Sequence, residues 1–536
     1  MEWEIEKFLK VHPQTSNTII KPSFYFSYDC REGMVYRQKS HEDDPTIKMV
    51  IGKGYISKST GYSQADENDW DKLLNFDFLP TDIDGHYLAL KIRDNFLQIT
   101  CDMFGHYPVY YIDAEEYFII STKQHFISQL IGKKQWDYCS LSALALLDMP
   151  LEKRAFLKKI AVLNEGSTLT VSYNKITVEK REIKFGTDDT IDTNKYFFSL
   201  KKAYEIQLNE GDFVFLPFEE KYSSRFAFSV WCNKAKKDWG LYHPKNSDVV
   251  PVEYIEDFVL SKLKIQNIPD FRDSKQIFAV YKDYVLSTGL AKIPEYFHLA
   301  GTALMPSMPL KNEINIVSYH SEWLFEKEPL KKIEKIYKVF KDNSFNDFKK
   351  NFVSKNHFFR KEFYPFLLKG LKLHFDDFTK KMYTTETIYD KYFFLLRNYH
   401  TNIWARGLAW LNNYKNFYSP GLLYSLSCNH LQQRFNNKKI SETSSTLHET
   451  FSAESLNYPK PKEPKYSLPL YPHKNMQFFP KITNEIGLMI ENAENIQYYD
   501  FPLLLKMFKK ANKGNPNAVD EMMKWTAFEI WRQYLE

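Results

Sequence analysis

Up to about residue 180, apolar residues come in short runs, several of them alternating with polar ones. From about residue 190 they recur at helical spacing. This change of period constrains the fold most, because a segment patterned for one face of a strand cannot bury that face as a helix. Residues 87–92 and 96–99 read as strands joined by a short polar break. Residues 109–112 and 117–120 flank a polar turn at 113–116. Residues 167–171 and 176–178 flank Tyr173, Asn174 and Lys175. Each of these two arrangements predicts a hairpin. Helical pattern is thin here, apart from 141–147. The expected unit is an antiparallel, β-rich domain over 1–183.

The expected second unit, 190–536, begins with a helix that Asp192 can cap and that runs toward Glu205. A strand follows at 211–216 and a helix at 226–237, ending before Gly240. Residues 211–300 fit βα units around a parallel sheet, and the chain beyond about 310 reads as mostly helical. Residues 458–480 hold six prolines and predict an irregular connector, with helices resuming after Thr483. The last predicted helix is 518–535. The fold class expected is α/β with α+β elements: a β-rich part, then a parallel sheet with a large helical part.

Composition narrows the function. The formal charge of +5 is small for 536 residues and gives no reason to expect a nucleic-acid partner. Five separated cysteines, with no CxxC pair, suggest reduced thiols and a cytoplasmic protein. The start is too charged for a secretory signal, and no apolar run is long enough to predict a membrane span. Only 18 glycines are present. Phosphate loops need glycine to bring the backbone close to the anion, so this scarcity weighs against many of them. Residues 331–381 carry fourteen Lys or Arg against six Asp or Glu, interleaved with aromatics. The plainer reading is solvated faces of aromatic-packed helices; the sharper one is a basic surface for an acidic partner.

Residues 85–123 include Asp102, Gly105 and Pro108, followed by Val109, Tyr110 and Tyr111. This order resembles the N-terminal domain of asparagine-synthase-like proteins. Residues 156–171 resemble the same family's apolar approach to a Pro-Gly turn, with Gly166 kept and Glu165 where proline is usual. Residues 389–404, residues 417–426 with Pro420, and the ending around Trp525 and Trp531 resemble later family segments in the family's order. The resemblance implies an amidohydrolase-like sandwich followed by an ATP-pyrophosphatase-like synthase domain.

It also implies chemistry that these residues do not support. The family's glutaminase uses an N-terminal cysteine, whereas Glu2 and Trp3 follow Met1 and the nearest cysteine is Cys30, so glutamine hydrolysis is not expected. The family's Ser-Gly-Gly-x-Asp-Ser loop aligns with Glu219, Glu220, Lys221, Tyr222, Ser223 and Ser224, followed by Arg225. Two carboxylates there repel a triphosphate, and the glycines that open the backbone are gone. A second glycine-rich loop keeps Gly301 but places Ala303, Leu304 and Met305 where an acid for Mg²⁺ is expected. After Pro420 the family's Asp is replaced as well: Gly421, Leu422 and Leu423 follow. No catalytic residue and no metal ligand is assigned, and no cofactor is expected. Ser223, Ser224 and Arg225 are read as a possible anion-binding remnant. Glu219 and Glu220 read as surface charge before they read as an acid–base pair, and His298 as a packed residue before a ligand. The leading expectation is a degenerate family member that binds a protein or peptide. The alternative is an ATP- and Mg²⁺-dependent amide-forming ligase or cyclase with an altered phosphate loop. Oligomeric state is not legible.

Overall fold

The computed structural model describes residues 17–21, 24–28, 35–38, 46–58, 61–114, 117–131, 134–147, 149–172, 175–180, 193–206, 213–217, 226–227, 230, 238–242, 274–291, 313–316, 327–353, 358–400, 402–412, 416–419, 423–428, 431 and 472–535. It is a mixed α/β chain.

The front part is built on antiparallel strands: β1 (Asn17–Lys21), β2 (Phe24–Tyr28), β3 (Val35–Gln38), β4 (Ile47–Lys58), β5 (Gly61–Gln64), β6 (Asp84–Arg93), β7 (Phe96–Cys101), β8 (Tyr110–Ala114), β9 (Tyr117–Ser121), β10 (Ala161–Val162), β11 (Ser167–Ser172) and β12 (Lys175–Lys180). The main sheet runs β12-β11-β7-β6-β4-β3, with β5 on β4. A smaller one runs β10-β8-β9, and β1 pairs with β2. The alternation of β6 explains its nearly continuous apolar sequence. Leu88, Leu90 and Ile92 share a core with Leu97, Ile99, Val109 and Leu169, against which Tyr111, Phe118 and Ile120 of the small sheet pack. Tyr87 and Ala89 point the other way, into a core with Trp70, Leu73 and Leu74. Those last three lie on the helix Glu67–Leu74, which Asp66 starts with a reciprocal capping box to Asp69. A strand covered on both faces has little need of polar positions.

The second sheet is parallel throughout. Its strands are β13 (Phe213–Pro217), β14 (Asp238–Tyr242), β15 (Glu313–Ile316) and β16 (Asn416–Tyr418), in the order β14-β13-β15-β16. The strand expected at 211–216 sits one or two residues later. Gly240, expected just beyond a helix, lies inside β14. Of the helix expected over 226–237, only Phe226, Ala227 and Val230 are described, all helical. The long helices Tyr364–Tyr383, Phe501–Asn512 and Pro516–Leu535 follow the helical expectation beyond about residue 310, and Ser274–Thr288 falls in the stretch read as βα units.

A further expectation is corrected at the connector. The connector over 458–480 gives way to a helix, Pro472–Asn492, that starts well before Thr483 and carries Pro480 inside it. Pro472 opens that helix, where its missing N–H costs nothing. Pro480 removes one internal hydrogen bond, but Phe479, Ile482, Ile486, Met489 and Ile490 bury a stripe at helical spacing that outweighs it. Residues 458–471 lie outside the described residues.

The largest apolar core does not stop at the junction between 183 and 190. It joins Tyr55, Phe104, Tyr110 and Phe156 of the front part to Tyr284, Phe375, Trp410 and Trp531. The helix Tyr138–Leu147 packs on Tyr364–Tyr383. Gly370 permits that approach, since a Cβ there would lie 2.9 Å from Tyr138 Cδ1.

Candidate functional site

The order β14-β13-β15-β16 means that the chain leaves β13 for one neighbour and returns on its other side at β15. In open parallel sheets the crevice beyond the carboxyl ends at such a reversal is the usual place for a ligand. The chain leaves β13 at Pro217, and helical backbone is present at Phe226. Glu219, Glu220, Lys221, Ser223, Ser224 and Arg225 therefore belong to the connection that departs from the reversal point. All six lie outside the described residues, as do His298, Gly301 and Pro420.

The carboxyl end of β16 is described, and it is held against the front part. Tyr418 stacks on His86 with ring centroids 5.6 Å apart, meets Tyr55 edge-on, and donates its hydroxyl to Ala203 O at 3.1 Å. His86 in turn stacks on His106 at 3.8 Å. Ser419, the next residue, is fully buried, and its Oγ has no partner among the described residues.

Asp102 organises the turn below that histidine pair. Its carboxylate accepts from Phe104 N at 2.9 Å and His106 N at 3.1 Å, and lies 2.9 Å from His106 Nδ1. Its carbonyl accepts from the N–H groups of Gly105 and Gly166, both at 3.0 Å. Gly105 has φ +56°, and a Cβ there would meet Lys153 Nζ at 2.5 Å. Glycine is used at this position because it fits a left-handed turn and leaves room for the lysine. Pro108 is buried two residues before β8. The described members of the expected site set thus meet at one turn.

Beside that turn lies a buried ion cluster that sequence reasoning did not find. Glu165 sits 3.3 Å from Lys153 Nζ and 3.7 Å from Arg397 Nε, all three nearly or fully buried. Lys153 also donates to the carbonyls of Phe104 and Gly105. Burial alone would raise the Glu165 pKa, but Lys153 and Arg397 outweigh it and bring it down to about 2. Burial pulls the Lys153 ammonium below its ordinary range, with Glu165 opposing. Arg406, also buried, donates to Thr288 O at 2.9 Å and Glu152 O at 3.3 Å. Further out, Glu152 accepts from Lys381 at 2.8 Å, and Arg154 reaches Asp137 and Asp377. His374 accepts the Leu151 N–H at Nε2, and burial, Arg154 and Lys381 push its pKa well below normal, so it stays neutral.

A third polar contact ties β6 to the helical turn at 424–428. Asp84 accepts from Ser425 N at 2.9 Å and from Ser425 Oγ, which also lies 2.7 Å from Tyr62 OH. Burial raises the Asp84 pKa to about 6, against the hydrogen bonds from Ser425. A carboxyl group raised above its unfolded value of 3.8 binds its proton more tightly in the folded state. Its effect on stability is therefore most favourable below about pH 4 and declines as pH rises toward 6, by about 3 kcal/mol in total. Asp84→Asn keeps an acceptor and removes the titration. We expect urea-unfolding midpoints of the wild type to fall relative to the variant between pH 4 and pH 6. Parallel pH profiles would show that Asp84 does not titrate in this window.

Chemically, these contacts lock the front part to the carboxyl edge of the parallel sheet. Among the described residues no three His, Cys, Asp or Glu gather where a metal ion could be held, and no helix is long and apolar enough to cross a membrane. No known family model matches the chain, and no curated protein matches it in sequence.

Proposed function

We propose that this chain is an asparagine-synthase-like protein that no longer makes amides from ATP and acts by binding a protein or peptide. In this reading the antiparallel front part is a degenerate, amidohydrolase-like glutaminase domain, and residues 190–536 form the degenerate synthase domain of a cytoplasmic protein. One observation carries it: the connection that leaves β13 at the sheet's reversal point reads Glu219-Glu220-Lys221. A nucleotide triphosphate needs clustered N–H groups and positive charge at such a point. Two carboxylates oppose it, and one lysine offsets only one of them. The fold survives such a change because strand pairing and helix packing do not use those side chains.

The second reading is an ATP- and Mg²⁺-dependent amide-forming enzyme with rebuilt phosphate contacts. What favours it is that Ser223, Ser224 and Arg225 directly precede helical backbone at Phe226, a position suited to an anion. Isothermal titration with Mg·ATP separates the two. We expect no measurable binding at millimolar nucleotide. A micromolar Kd that is lost in Ser224→Ala/Arg225→Ala would overturn the proposal in favour of the enzyme.

A further inference from the structure

The helix Tyr364–Tyr383 turns Leu367, Leu371, His374, Phe375, Phe378 and Met382 inward. Its outer face sets large apolar side chains among Lys369, Lys372, Lys380 and Lys381, where a surface helix ordinarily shows polar residues alone. Phe366 is 58% exposed and Leu373 53% exposed, and Tyr383 ends the helix in the open. With Phe363 at the N-cap, this one helix supplies four of the ten large apolar side chains most exposed among the described residues. Such concentration on one element marks a contact surface, whereas scattered exposure would not.

The pattern of that face indicates what it contacts. Phe366, Lys369, Leu373, Asp376, Lys380 and Tyr383 follow one another at spacings of three and four, so they form one stripe along the helix. Phe366 and Leu373 stand seven residues apart, about 10 Å along the axis. That is the repeat by which a second helix inserts its own apolar side chains. Phe366 is braced from behind by Tyr138 at a ring distance of 4.1 Å, so it is held in place as an anchor. Lys372 is already paired with Asp376 at 2.6 Å, which leaves Lys369 between the two apolar anchors and Lys380 two turns beyond Leu373, with Lys349 beside Tyr364 at the start of the helix. Two separated apolar anchors with charges between them suit a protein helix better than a lipid surface, which favours a continuous apolar band.

We infer that this face docks an acidic amphipathic helix of a partner protein, through Phe366 and Leu373 with Lys369 and Lys380. The inference rests on the binding role proposed above and names the partner's chemistry. The test pans a displayed library of random 20-residue peptides on the full chain. The expected result is enrichment of net-acidic peptides with apolar residues at three- and four-residue spacing. Their affinity should fall at least ten-fold in Phe366→Ser/Leu373→Ser and in Lys369→Glu/Lys380→Glu, and stay unchanged in Leu488→Ser, another exposed position. Because every substituted side chain is exposed, the variants should keep the wild-type melting temperature, which is checked alongside. No enrichment, enrichment of non-acidic peptides, or peptides that bind the double variants equally well would each overturn the inference. So would binding to phosphatidylserine vesicles that depends on the same four side chains, because the occupant would then be a membrane. Tight Mg·ATP binding would end the degenerate-site reading and leave this result standing, so the two failures are distinguishable.

Discussion

Glu165→Ala is expected to destabilise the folded chain by about 3–5 kcal/mol, the usual cost of removing one partner from a buried ion pair. Lys153 and Arg397 converge on that carboxylate, and their side chains are at most 9% exposed. The lowered pKa of Glu165, which arises from the same two contacts, corresponds to a similar figure. Held at about 2 against an ordinary 4.5, the group contributes about 3 kcal/mol at neutral pH. Its folded pKa is lowered, so this stability is complete above about pH 5 and is lost as pH falls toward 2. Urea unfolding followed by tryptophan fluorescence at pH 7 reads the loss. Adding Lys153→Met should recover part of it, since the unmatched ammonium goes with the lysine. A Glu165→Ala midpoint equal to the wild type would mean that the cluster contributes nothing.

Trp531→Ala is expected to cost a further 3–5 kcal/mol by a different route. The ring is fully buried, stacks on Phe156 at 4.6 Å, and donates Nε1–H to Val285 O at 3.3 Å. Truncation leaves a cavity where the helix Pro516–Leu535 meets both the front part and the helix Ser274–Thr288. Trp531→Phe should retain most of the packing and recover at least half the loss in a thermal scan. If Ala and Phe behave alike there, the indole's volume is not what holds this joint.

Strands β6 to β9, β11 and β12 were legible because alternation and turn chemistry act over a few residues, whereas the sequence singled out none of β1 to β5, nor β10. The helix Glu67–Leu74 was missed although Asp66 and Asp69 carry a capping box, because eight residues give a weak periodic signal. Strand β14 was missed because Gly240 reads as the stop of a preceding helix, the four-residue β15 is too short to stand out, and the packing of Phe479 and Ile482 overrode the proline signal near 472–480. In the candidate site, Asp102 and Gly105 stood out only through the family resemblance, and the structure places them in one local turn. Glu165 was noted only as a replacement for proline. A glutamate in a sequence reads as solvated, and its partners Lys153 and Arg397 are distant in the chain. Only the fold brings them together. The one sequence signal for the cluster was that same departure from proline at a turn.

The contact between Trp531 and Phe156 also sets a timetable for biosynthesis. Phe156 leaves the ribosome several hundred residues before Trp531 does, and Tyr534, which donates to His125 O at 2.7 Å, comes later still. At ordinary elongation rates that interval is tens of seconds. Throughout it the front part can pair its strands and meet the helix Ser274–Thr288, but the apolar surface around Phe156 still lacks the helix Pro516–Leu535 that completes its cover. The nascent chain must therefore carry an open hydrophobic seam through most of its synthesis. Its yield in a cell then depends on what shields that seam during translation as well as on the stability of the finished fold.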